Sequence, residues 1–132
     1  MRLNTALLAD AAHTRDRLLY IIGGGITRIW RPEYPSPLNL DVGLMLEIHP
    51  TEFDRPHEIT IRGMDEDGEH IVEVRGAVQA TAGEDHDVGE SALVPAVLGL
   101  RNVGLPHPGV YTLEIVIDGQ HQTSIRFRAD QR

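Results

Sequence analysis

The sequence predicts an all-β fold, an antiparallel β-sandwich of about seven to eight strands in an Ig-like or C2-like arrangement. Three observations carry this prediction. Apolar and polar residues alternate along several short runs, with the period of a half-buried strand. Glycine, proline and aspartate punctuate those runs at turn spacing. The chain of 132 residues also suits a single domain, 1–132. Burial of roughly two thirds of the unfolded surface then suffices without a disulfide or metal staple.

The N-terminal third admits two readings. Leu7, Leu8, Ala11, Ala12, Arg15, Leu18, Leu19 and Ile22 recur at helical spacing, with Asn4 as a cap and Gly23 as a stop. Against a helix, Leu18–Ile22 is apolar on both faces, as in a buried strand, and His13–Arg17 is a polar break between two short strands. Strand–turn–strand is the favoured reading, although periodicity alone does not separate the two. Gly23, Gly24 and Gly25 then form a bend before a strand over Ile26–Trp30. A phosphate-binding loop requires Lys-Ser/Thr after its glycines; Ile26, Thr27 and Arg28 follow here, and the chain has no lysine.

Three prolines, Pro32, Pro35 and Pro37, mark residues 31–37 as a surface loop. Leu40, Val42, Leu44, Leu46 and Ile48 alternate strictly and predict a strand over 38–49. Residues 56–80 predict a hairpin that turns at Asp65–Gly68, with Gly63 and Gly76 marking bends or bulges in its strands. Residues 82–90 form an acidic, turn-like loop. Pro95 places the start of the next strand near Val97.

The C-terminal hairpin is the sharpest signal. A rigid turn at Pro106, Pro108 and Gly109 leads into Tyr111, Leu113, Ile115 and Ile117 on one face. Asp118-Gly119 turns the chain, and Ile125, Phe127 and Ala129 return, while Arg126 and Arg128 look outward. A two-residue turn with regular pairing would set Leu113 opposite Ser124 and expose Ile125 and Phe127. The expected solution is a three-residue loop with Gly119 at positive φ, pairing Tyr111 with Ile125 or Phe127.

Composition excludes several classes of function. The absence of cysteine removes disulfides, thiolate metal sites and thiol nucleophiles, and suits a reducing compartment. A net charge of −8 argues against nucleic acid or an anionic membrane as partner, and the twelve basic residues, all arginine, are scattered along the chain. The apolar core near the N-terminus is too short for a secretory signal, with Asp10 interrupting it. A cytoplasmic location is expected.

Candidate chemistry is sparse. Asp65, Asp67 and Gly68 resemble the start of a calcium loop, but the twelfth position is Gly76 rather than the glutamate that closes such a loop. The seven histidines are spaced at least eight residues apart, without the close pairs of metal motifs. Glu47 and His49 share a strand face, their Cβ atoms about 7 Å apart. With His86 in the acidic loop they are the weak metal candidates. Ser36, Ser91 and Ser124 lie in no nucleophile elbow. Tyr111 is expected in the core with its hydroxyl meeting backbone at a corner. Trp30 and Tyr34, flanked by prolines, form the one rigid aromatic cluster and the candidate partner-binding site. The glycines expected at turns are Gly23, Gly24, Gly25, Gly68, Gly109 and Gly119.

ADAA at 9–12, LLYIIGGGITRIW at 18–30 and LPHPGVYTLEIVIDG at 105–119 resemble an uncharacterised group of small bacterial proteins, a domain of unknown function. The resemblance implies a β-sandwich whose first strand spans residues 5–12, and it assigns no catalytic residue. The functional expectation is a non-enzymatic binding or scaffolding module with an unknown protein partner and no cofactor, with homodimerisation through an edge strand. The alternatives are a metal- or small-ligand-binding sandwich and a hydrolase with a loop-built site.

Overall fold

The computed structural model describes residues 1–132 and is all-β. In chain order the strands are β1 (Arg2–Arg15), β2 (Leu18–Gly24), β3 (Arg28–Arg31), β4 (Ser36–Pro37), β5 (Asp41–Ile48) and β6 (His57–Met64). They continue with β7 (His70–Val78), β8 (Ala92–Gly99), β9 (Gly104–Leu105), β10 (Gly109–Ile117) and β11 (Gln120–Gln131). A single 3-10 turn at Pro50–Glu52 is the one helical element. One sheet has the order β2-β1-β5-β8, a second has β3-β11-β10-β6-β7, and β4 pairs with β9 in a short ribbon. The pairing is antiparallel except between β3 and β11. Both sheets feed one core, with Leu8, Val42, Leu44, Leu46, Ile48 and Leu98 from the first, and Ile29, Ile59, Ile61, Leu113, Ile115 and Phe127 from the second.

The strand count exceeds the seven to eight expected, because β3, β4 and β9 are only two to four residues long. Runs that short carry no readable alternation. The N-terminal third is two strands and not a helix. Asp16 and Arg17 turn the chain with φ of 51° and 61°, the left-handed pair that matches hairpin twist. β1 serves two partners in succession: residues 2–9 pair with β5 and residues 9–15 with β2. Gly23 (φ 62°) and Gly25 (φ 87°) then redirect the chain, and the amides of Gly25 and Ile26 both donate to the Leu8 carbonyl.

Beyond its crossing of β5, β1 is held by a buried carboxylate. Asp41 Oδ2 accepts from the Ala12 amide at 2.9 Å and from Arg101 Nη2 at 3.0 Å. The Arg101 guanidinium also donates to the carbonyls of Asp10 and Asn39. Arg101→Met leaves Asp41 buried with one donor fewer. The expected loss is about 1–3 kcal/mol of unfolding free energy, measured by urea titration.

Three boundaries differ from expectation. β1 runs from Arg2 to Arg15 rather than over 5–12, and His13–Arg15, expected in a polar break, pair with β2; only Asp16 and Arg17 make the turn. β8 begins at Ala92 rather than near Val97, and it includes Pro95 opposite Met45. β8 lies at a sheet edge, where a residue without an N–H costs no ladder bond on its open side. The C-terminal hairpin has a two-residue turn in place of the expected three-residue loop, with Ile117 opposite Gln120 and Asp118 and Gly119 at φ 49° and 79°. Register is restored one step further on. Ile115 faces Thr123 while Val116 faces His121, so Gln122 is an extra, bulged residue. Tyr111 then pairs with Phe127 and Leu113 with Ile125. The hydrophobic constraint on the hairpin is met, but by a bulge and not by the loop.

Candidate interaction surface

β2 owes its character to the way the β1–β2 hairpin lies against the first sheet. Leu19 and Ile21 turn toward Gly43 of β5, where a Cβ would stand 2.6 Å from Ile21 Cδ1 and 3.6 Å from Leu19 Cδ2. A side chain at position 43 would require the Ile21 terminal methyl to shift. The alternate residues Leu18, Tyr20 and Ile22 consequently face solvent and are 56%, 41% and 63% exposed. Tyr20 is held flat by His13, the two rings stacked with centroids 5.0 Å apart and 6° between planes. β2 also ends its sheet, with β1 on one side and a free backbone edge on the other. An exposed apolar stripe beside unpaired N–H and C=O groups can add a strand from another chain.

The two-sided apolarity of Leu18–Ile22 predicts a strand buried on both faces. That is corrected: one face is covered and the other is open. Two-sided apolarity is the signal that was available; the edge position is not a local property.

The aromatic candidates separate in function. Trp30 is 47% exposed, with the Arg132 guanidinium 5.6 Å from its ring centroid. Tyr34 packs against the core and its hydroxyl donates to the Asp130 carbonyl at 2.8 Å. Burial raises the Tyr34 pKa above that of a free phenol.

The weak metal candidates lie apart from one another, Glu47 and His49 held by polar partners and His86 with its buried Nε2 unbonded. Glu47 is ion-paired to Arg2. His49 Nδ1 caps the 3-10 turn, accepting from the Thr51 amide, while Glu52 accepts from the His49 amide. His86 packs edge-on to Phe53 at 5.2 Å, beside a depression of about 650 Å³ that Arg17, Glu84 and Asp85 also line. No group of three or more His, Asp or Glu side chains converges to hold a metal ion. The Asp65 turn is closed by its own backbone: Oδ1 accepts from the amides of Glu69 and Asp67, and Gly68 takes φ 81°. These bonds, the Glu69 amide foremost, hold the Asp65 carboxyl below its usual range.

Two His–Asp pairs resemble catalytic dyads, and in both the ring is fully occupied. His57 Nδ1 meets Asp118 Oδ2 at 2.7 Å and Nε2 meets the Glu52 carbonyl at 2.8 Å, with the side chain buried. His107 Nδ1 meets the Pro108 carbonyl at 2.9 Å and Nε2 meets Asp65 Oδ2 at 3.4 Å. A ring facing acceptors through both nitrogens holds a proton for structure rather than passing it to a substrate. His107 instead anchors Tyr111, whose buried hydroxyl donates to the His107 carbonyl at the expected corner.

These features define a class: an all-β protein with an apolar, open-edged strand as its candidate interaction surface. The chain belongs to a family of unknown function, DUF6941, whose model matches residues 4–130. No curated protein matches it. The resemblance carried by the motifs at the two ends therefore extends over nearly the whole chain. No helix is long and apolar enough to cross a membrane.

Proposed function

We propose that the protein is a non-enzymatic binding and scaffolding module of the bacterial cytoplasm, a β-sandwich that assembles by pairing β2 with β2 of a second copy. The observation that carries this reading is the exposed Leu18–Tyr20–Ile22 stripe on a free strand edge. Charge favours a second copy as the occupant. The chain carries −8 overall, yet residues 18–27 contain no charged side chain, so two copies approach with least repulsion along this seam. The stripe is also symmetric about Tyr20. Antiparallel pairing through a two-fold sets Tyr20 opposite Tyr20 and Leu18 opposite Ile22, an isologous contact of like with like. A cysteine-free chain suits the reducing compartment.

Analytical ultracentrifugation tests the proposal. The expected species has twice the 14.6 kDa chain mass. Tyr20→Lys/Ile22→Lys places two cations on the seam and is expected to give a monomer with an unchanged circular dichroism spectrum. A wild-type monomer at the highest attainable concentration, or a dimer indifferent to the double variant, would overturn it.

A further inference from the structure

The arginines scattered along the sequence are not scattered in space. Arg126 and Arg128 alternate with the buried Phe127 and share the outer face of the second sheet. Arg28 of β3 lies opposite Arg128 in the parallel β3–β11 register. Neighbouring strands are about 4.8 Å apart and alternate residues about 7 Å, so three guanidinium groups crowd one patch. Thr27, Arg28, Val110, Arg126, Phe127 and Arg128 line a shallow groove of about 450 Å³ there. The groove lining holds three cations and no carboxylate, in a chain of net charge −8. Two acids flank the groove: Asp130 meets Arg28 Nε at 3.2 Å, and Glu114 of β10 lies one diagonal step from Arg126 without an ion pair to it. The ion pairs of the chain leave Arg126 and Arg128 unmatched.

Arginines elsewhere on this face are treated differently. Arg62 and Arg75 share Glu73 at 3.0 and 3.2 Å, so one carboxylate engages both guanidinium groups and offsets part of their charge. Trp30 lies beside the groove, outside its lining and opposite Asp130. It stands two residues beyond Arg28 on the same face of β3, exposed, with Arg132 against its ring. Planar guanidinium forks match the paired oxygens of phosphate, and an indole face stacks on flat rings.

The geometry points to an anion-binding site for a phosphate-bearing small ligand in the Arg28–Arg126–Arg128 groove. The phosphate oxygens lie across the three guanidinium groups, and any ring carried by the ligand faces Trp30. This site is on the sheet opposite β2 and does not depend on self-association.

Trp30 is the single tryptophan of the chain and stands two residues from Arg28 of the groove. The full chain is titrated at constant ionic strength with pyrophosphate and, separately, with ADP, reading Trp30 fluorescence and, in parallel, calorimetric heat. The expected result is saturable binding that Arg126→Gln/Arg128→Gln weakens at least tenfold and Arg62→Gln/Arg75→Gln leaves unchanged. Circular dichroism confirms that both variants fold. Tighter binding of ADP than of pyrophosphate assigns part of the recognition to the base on Trp30; equal binding assigns it to the phosphates alone. No saturable signal from either ligand would overturn the site. So would equal binding by the Arg126/Arg128 variant, or an equal loss in the Arg62/Arg75 variant, which would reduce the effect to diffuse charge.

Discussion

Tyr111→Ala is expected to destabilise the protein by about 3–5 kcal/mol, the range for deleting a fully buried aromatic ring. Tyr111 has no exposed surface. Its ring stacks on Phe127 with centroids 5.5 Å apart and on His107 at 5.9 Å, while its hydroxyl donates to the His107 carbonyl. The alanine variant therefore loses apolar contact, an aromatic pair and the bond that ties the 106–108 turn to the core. Tyr111→Phe removes only the last of these and is expected to cost about 1 kcal/mol. Guanidinium unfolding distinguishes them, because a domain of this size has about 5–15 kcal/mol in total. Equal losses in the two variants would mean that the hydroxyl, not the ring, matters at this corner.

The second large effect centres on His57, which links the 3-10 turn to the C-terminal hairpin. Its hydrogen bond to Asp118 raises the His57 pKa above 6.5 despite the opposing effect of burial. Burial pulls Asp118 upward, but hydrogen bonds from His57 and the Glu58 amide outweigh it, and its pKa falls below 3.8. The signs give a window. The His57 contribution is complete below 6.5 and is lost as pH rises through the raised folded-state value. The Asp118 contribution is present above 3.8 and is lost as pH falls through the depressed value. Stability is expected to be highest between about pH 4 and 6.5 and to decline toward pH 9. His57→Ala is expected to cost about 2–3 kcal/mol at pH 5.5, less than for a fully buried pair because Asp118 regains water. It should also flatten the alkaline decline. Asp118→Asn keeps a residue that tolerates positive φ while removing the charge, and should flatten the same limb at smaller cost. Urea unfolding across pH checks both; a wild-type profile flat from pH 5 to 9 would contradict the assigned proton.

The readings that succeeded from sequence rest on local chemistry. The alternation of Leu40 to Ile48 predicts β5, and the five alternating residues Leu40, Val42, Leu44, Leu46 and Ile48 are all buried. The Asp65–Gly68 turn and the Tyr111 corner were legible because turn residues and a core tyrosine act over a few positions. The C-terminal hairpin marks the limit. Facing constraints required an extra residue in one strand, but nothing local distinguished a longer loop from a bulge at Gln122.

The surface features escaped for a different reason. Leu18–Ile22 is apolar on both faces, and that pattern is the same in a central strand and in an edge strand lying over Gly43. Arg28 lies about a hundred positions before Arg126 and Arg128 in the chain, and one parallel strand pair brings it to them. Trp30 and Tyr34 are neighbours in sequence, yet one is exposed and the other is bonded to Asp130.

By itself the sequence determined the all-β class, most strand positions and the exclusion of thiol chemistry, whereas Gly24, expected in a bend, ends β2 opposite Ala9; period and composition act within short segments. The tertiary structure alone decided which strand became an edge, which apolar face stayed uncovered and which charges met. Those depend on the order of strands in a sheet, which long-range packing selects and no local pattern encodes.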